Sequence, residues 1–154
     1  MKILFLWVGK TDDREYARGI ERYRERIEKW ARVEEHVVRP ESERSDAAAR
    51  REGARILARV DERDRLIALD EGGRARSTSS FAEWLAAHRD RDPRRLVFVV
   101  GGASGLAPEV LARAEETLSL SPMTFPHQVA RLLLLEQVYR ALSVSAGLRY
   151  HRAP

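Results

Sequence analysis

Leu96-Val97-Phe98-Val99-Val100-Gly101-Gly102-Ala103-Ser104-Gly105 is the stretch from which the fold is read. Five apolar residues, mostly β-branched and without polar alternation, run straight into a glycine-rich turn. Such a run predicts a strand buried on both faces, the kind found in a parallel sheet covered by helices. The turn sits at the strand's carboxyl end, where open α/β sheets bind their ligands, and its backbone is bare enough for close approach.

Working outward, Lys2 to Val8 predicts a strand ended by Gly9. Tyr16, Ile20, Tyr23, Ile27 and Trp30 then form one apolar helical stripe, capped by Asp12 or Asp13. Val33 to Arg39 predicts a second strand stopped by Pro40, and Glu41 to Ser45 a mobile loop. A helix from about Ala47 to Val60, with Asp46 as N-cap, leads to a strand at Arg65 to Asp70. Gly72-Gly73 and Ser77 to Ser80 read as a loop. A short helix follows, with Phe81, Trp84, Leu85 and His88 on one face. Beyond the quoted stretch, Pro108 suits a helix first turn, and that helix is expected to carry Val110, Leu111, Ala114 and Leu118. Ser119 to Thr124 reads as a fifth strand or strand-like loop. The last helix is expected from near Pro126 to about Ala146, with Gly147 as its stop. Leu132 to Leu135 make it apolar all round, so it must be buried in its own fold, against a second subunit, or both.

Strands alternating with helices over 154 residues predict a single α/β domain with a parallel-rich sheet and helices on both faces. Charged residues at 34% and hydrophobic residues at 44% exclude a disordered chain. Ile3 to Val8 is too short for a signal-peptide core, and no stretch approaches a spanning helix. Cysteine is absent, which excludes disulfides, thiolate zinc sites and cysteine nucleophiles. The expectation is a soluble cytoplasmic domain. Arginine supplies 25 of the 28 basic residues, and from Ser121 onward four arginines face one acid, Glu136. A basic end of that kind suits an anionic partner such as nucleic acid.

Gly9-Lys10-Thr11 lacks the second glycine of a phosphate loop, since Leu4 stands five residues before Gly9. No G-x-G-x-x-G follows the first strand. Gly102-Ala103-Ser104-Gly105-Leu106 misses the nucleophile-elbow pattern at its last position. His36, His88 and His127 read as structural, and His127, at a helix start, as neutral. What remains is a set of strand ends that line up: Leu69-Asp70, Gly101-Gly102 and Leu120 to Phe125. Tyr150-His151-Arg152 is either a frayed end or a docked group that stacks on, exchanges a proton with and neutralises a nucleotide.

Gly101-Gly102-Ala103-Ser104-Gly105-Leu106, Leu118-Ser119-Leu120-Ser121 with Met123-Thr124-Phe125-Pro126-His127-Gln128, Glu136-Gln137-Val138-Tyr139-Arg140-Ala141 and Tyr150-His151-Arg152 together resemble the RlmH family. These are SPOUT-class methyltransferases acting on N3 of a pseudouridine in 23S rRNA. The resemblance spans essentially the whole chain. It implies a trefoil-knotted α/β fold, with knot and cofactor pocket formed mainly by residues from about 95 to 154, and a homodimer. It also implies S-adenosyl-L-methionine as cofactor, held by Leu69, by Gly101 and Gly102, and by Leu120, Ser121, Pro122, Met123, Thr124 and Phe125. The implied substrate is 23S rRNA within assembled ribosomes, without metal or membrane. On this reading His151 accepts or orients the proton, Arg152 stabilises charge and Tyr150 stacks or hydrogen-bonds, while Arg140 and Arg149 bind phosphate; Asp70 is an alternative base. Pro122 departs from the family by removing an amide donor, and Arg149 stands where proline often precedes the tail. The alternatives are a non-catalytic RNA- or ribosome-binding factor on the same fold, and a SPOUT methyltransferase with another RNA target.

Overall fold

The computed structural model describes residues 1–147. Lys2–Val8 forms β1, Arg14–Ile27 α1, Arg32–Val38 β2, Asp46–Leu57 α2 and Arg65–Ala75 β3. Thr78–Arg91 forms α3, Leu96–Val100 β4, Pro108–Arg113 α4, Glu116–Ser119 β5 and His127–Ser145 α5. The five strands make one sheet in the order β2-β1-β4-β3-β5, every pair parallel. Parallel pairing needs a crossover between successive strands, and helices supply each one.

The alternation of side chains along β1 sorts the core into two layers. Ile3, Phe5 and Trp7 pack with Ile20 and Ile27 of α1, Phe81 and Leu85 of α3, and Leu134, Leu135 and Val138 of α5. Leu4, Leu6 and Val8 pack on the other face with Ala49 and Ile56 of α2 and Val110 of α4. Helices therefore cover both faces. Within the first layer α5 lies against both α1 and α3, which explains a helix apolar on several sides. Gly19 lets α1 come close, since a Cβ there would stand 2.8 Å from Leu132 Cδ1. No helix among the described residues is long and apolar enough to cross a membrane.

Local chemistry sets the boundaries. Asp13 caps α1 by accepting from the Glu15 and Tyr16 amides. The cap of α2 is Ser45, whose hydroxyl accepts from Ala48 N at 3.0 Å, so Asp46 is the first helical residue rather than the cap. Gly147, at φ 73°, follows α5 as expected. Other boundaries differ from the sequence reading. Thr78 to Ser80, read as loop, form the first turn of α3, because the Ser77 hydroxyl caps it by accepting from the Ser80 amide at 3.1 Å. Gly72 and Gly73 belong to β3, not to a loop, because β3 continues past an irregularity between Leu69 and Arg74 and pairs again with β5. A Cβ on Gly73 would lie 2.6 Å from the Thr117 carbonyl oxygen, so only glycine admits that approach. The fifth strand is Glu116–Ser119, earlier than expected, and Leu118 lies on it rather than on α4. The helix stops at Arg113 because Ala114 takes an extended conformation.

His88 is buried on α3, its Nδ1 3.2 Å from Arg65 Nη1 and 3.4 Å from the Asp92 carboxylate. Burial pushes its imidazole below the ordinary value, with Asp92 partly opposing. The folded state then binds this proton less readily than the unfolded chain does. Stability is complete above the unfolded value of about 6.5 and is lost as pH falls from there towards the folded value. Urea midpoints are expected to decline below pH 6.5, with a shallower decline in His88→Gln.

Candidate cofactor pocket

A cavity of about 650 Å³ opens beside Leu69 to Glu71, where β3 breaks register, and at the carboxyl ends of β4 and β5. Its walls bring together the strand ends picked out in the sequence. Leu69, Gly101, Gly102, Leu120, Ser121, Met123, Thr124 and Phe125 all line it; Pro122, in the same loop, does not. Asp70, Glu71, Arg44 and His127 complete much of the polar wall. Arg44 comes from the loop before α2 and Glu71 from the β3 extension. Neither carried a motif, so sequence reasoning had no signal for them.

The glycine turn is shaped by close packing. Gly105 adopts φ +74° and donates its amide to the Gly102 carbonyl oxygen at 3.1 Å. A Cβ on Gly101 would stand 2.9 Å from the Gly105 carbonyl carbon, and one on Gly102 2.9 Å from Val8 Cγ1. Both positions therefore need glycine for space, and the pocket is left with bare backbone along that wall. Glu52 of α2, buried to 2% exposure, stands behind the turn. One of its carboxylate oxygens accepts from the Glu41 amide at 2.8 Å, while Oε2 has no hydrogen-bond partner among the described residues.

The opposite wall is tied to β3. The Ser119 hydroxyl lies 3.0 Å from both the Glu71 and Ser121 carbonyl oxygens. The Met123 amide donates to Ser121 Oγ at 3.0 Å, and the Thr124 hydroxyl donates to the Glu71 carboxylate. Met123 is left 72% exposed at the rim. Burial, reinforced by the nearby Arg131 cation, holds the His127 imidazole below its ordinary value and so neutral at pH 7.

Arg131 is fully buried on α5. It donates to the Val8 carbonyl oxygen at 2.6 Å and to Thr11 Oγ1 at 3.1 Å, and it lies 5.6 Å from the centre of the Trp7 ring. Burial pushes its guanidinium down to about 10, which leaves it charged at pH 7. It thus clamps the first turn of the last helix to the end of β1, and it is no part of a basic surface. Arg140 pairs with Glu136 one helical turn away, at 2.9 Å through Nε. It lies about 20 Å along α5 from His127 at 1.5 Å per residue. Arg149, Tyr150, His151 and Arg152 fall outside the described residues. Among those described, no cluster of three or more His, Asp or Glu side chains is placed to hold a metal ion.

A family model described as "Predicted SPOUT methyltransferase" matches residues 1–151. The chain belongs to the SPOUT methyltransferase family. Within it, the chain is 41% identical over 152 residues to the Ribosomal RNA large subunit methyltransferase H of Geotalea daltonii, covering 98% of this chain and 99% of the relative. It is 40% identical, with the same coverage, to the protein of that name from Geobacter sulfurreducens. Among solved structures, a probable methylase family protein from Haemophilus influenzae superposes with a TM-score of 0.53 at 15% identity. That match covers 94% of this chain and 66% of the other, and it is a likeness of fold.

In this SPOUT chain, the walls of the pocket match the chemistry of S-adenosyl-L-methionine. The volume falls within the roughly 300–1,000 Å³ of small-molecule sites. Bare glycine backbone suits a ligand held by main-chain groups, the half-buried Leu69, Leu106 and Leu120 suit a flat ring system, and Asp70 and Glu71 suit a cationic centre. The residues present fit the group.

Proposed function

We propose that this chain is an S-adenosyl-L-methionine-dependent methyltransferase that methylates N3 of a pseudouridine in 23S rRNA, working on assembled ribosomes as a homodimer with a trefoil-knotted core. The observation that carries the reading is the coincidence of the glycine-walled pocket with end-to-end likeness, at about 40% identity, to ribosomal RNA large subunit methyltransferases. For the knot, the support is the path of the chain. β5 is an edge strand, yet α5 returns to lie between α1 and α3 and is clamped by Arg131 to the end of β1.

The bound cofactor supplies a methyl group already activated on a sulfonium. The residues of this chain are left to hold it, align the nucleophile and remove a proton. Once loaded, the site would let the N3 lone pair take the methyl carbon while the electron pair of the carbon–sulfur bond stayed on sulfur. The N3 proton must leave, because the neutral imide is a poor nucleophile. His151 takes that proton, Arg152 stabilises the developing anion and Tyr150 stacks on the base, with Arg140 and Arg149 on phosphates. Pocket contacts are assigned to Leu69, Gly101, Gly102 and the Leu120 to Phe125 loop.

Chain length supports the dimer. Helix α5 carries the chain about 27 Å from the pocket between His127 and Ser145 at 1.5 Å per residue. The six residues from Ser145 to His151 span at most about 20 Å fully extended. A tail that starts so far from its own pocket is better placed to serve the pocket of a second copy, which favours the dimer.

Calorimetric titration with S-adenosyl-L-methionine, with dimer state checked on the same sample, tests the reading. Saturable micromolar binding is expected, and a folded dimer that binds none contradicts it. His151→Ala is expected to lower the methylation rate on ribosomes roughly 100-fold or more with cofactor affinity unchanged, the scale of a lost general base. A wild-type rate removes His151 from the chemistry.

A further inference from the structure

Lys10, Arg14, Arg18 and Arg22 recur every four residues. The three arginines lie on α1, where that step stacks side chains along one face, opposite the buried Ile20 and Ile27. All four basic residues are exposed, and none makes an ion pair among the described residues. Of the acids nearby, Glu21 is engaged by Arg24 at 2.5 Å, while Glu15 and Glu25 flank the row without pairing to it. For the fold alone the row is unfavourable twice over. Like charges four residues apart repel, and Arg14, first residue of α1, sits at the positive end of the helix dipole.

The position of the row accounts for what stability does not. Its upper end adjoins the pocket, because the Asp13 amide donates to Gln128 Oε1 at 3.1 Å and the neighbouring His127 lines the cavity. From there the guanidinium groups descend in steps of about 6 Å, on the order of the phosphate-to-phosphate step along one RNA strand. Guanidinium also matches phosphate oxygens in a bidentate way. We infer that Lys10, Arg14, Arg18 and Arg22 form a track for the backbone phosphates of the RNA flanking the methylated nucleotide. This rests on the reading of the protein as an RNA methyltransferase.

The test compares wild type with Arg14→Gln/Arg18→Gln/Arg22→Gln, which keeps helix propensity and relieves the repulsion, so the variant is expected to melt no lower than wild type. Direct binding to ribosomes lacking the modification is measured across a salt series, alongside methylation kinetics and cofactor titration. The expected result is at least tenfold weaker ribosome binding, a salt slope shallower by about 2, at roughly 0.7 per lost single-strand phosphate contact, a raised KM, and unchanged kcat and cofactor affinity. A control, Arg63→Gln/Arg91→Gln, is expected to change binding less than twofold. Equal ribosome affinity and salt slope in wild type and the triple variant overturn the track. So does an equal loss in the control, or a change of oligomeric state in place of ribosome affinity. If wild type binds ribosomes through the row but transfers no methyl, the methyltransferase reading fails and the track stands.

Discussion

Gly101→Ala weakens S-adenosyl-L-methionine binding roughly 10- to 100-fold, the scale of one or two buried hydrogen bonds lost at about 1.4 kcal/mol per factor of ten. The new Cβ would stand 2.9 Å from the Gly105 carbonyl carbon and 3.0 Å from its oxygen. Those are backbone atoms, so the turn itself must move, and with it the wall that fits the cofactor. Overpacking of this kind also costs about 1–3 kcal/mol of stability. The chain is therefore expected to remain folded at 25 °C with a lower melting temperature. Titration calorimetry beside thermal unfolding separates the two effects. An affinity within twofold of wild type would mean that the glycine turn does not touch the ligand.

Arg131→Ala is expected to be the most destabilising single change among the site residues, at about 3 kcal/mol or more. It opens a cavity where a large side chain was fully buried and strands the Val8 carbonyl oxygen that Arg131 satisfies at 2.6 Å. Relief from burying a cation offsets part of that loss, so Arg131→Met, which keeps the stem, is expected to cost only about 1 kcal/mol. For a chain of this size, the alanine variant should melt about 6–12 °C lower. Because α5 begins at the pocket, cofactor affinity should fall in Arg131→Ala as well. Urea unfolding of both variants checks the ordering. An alanine variant within 0.5 kcal/mol of wild type, on the scale of an ordinary surface change, would mean that the clamp is idle.

Much of this was legible in the residues. β1 and β4 have the bounds expected of short apolar runs ended by glycine, because fully buried parallel strands leave little else in the pattern. The segments that form the pocket were visible as breaks at Leu69-Asp70, Gly101-Gly102 and Leu120, although the first is an irregularity within β3 and not its end. β5 was misplaced for a physical reason: at four residues, starting Glu116-Thr117, it is too short and polar to stand out. Val110, Leu111, Ala114 and Leu118 also repeat at helical spacing. The extension of β3 through Gly72 and Gly73 was hidden because Gly73 answers to the Thr117 backbone opposite, which only pairing brings near.

The buried charges left a fainter trace. Arg131 counted among the basic residues of the C-terminal stretch, yet it stands on a helix apolar on every side, where a cation has no solvent to face. Glu52 likewise interrupts a buried row of Ala48, Ala49, Gly53 and Ile56. A charge on the core face of a helix is the pattern that would have found both.

The central claim is tested most directly by methyl transfer itself. Ribosomes from a strain lacking pseudouridine methylation are incubated with the wild-type chain and S-adenosyl-L-methionine carrying a labelled methyl group, and the 23S rRNA is digested and mapped by mass spectrometry. The account predicts label at N3 of a single pseudouridine, dependent on His151 and abolished by loss of cofactor binding. Label on another base or another RNA would contradict the assigned substrate. No label, from a dimer that binds both cofactor and ribosome, would contradict the methyltransferase reading.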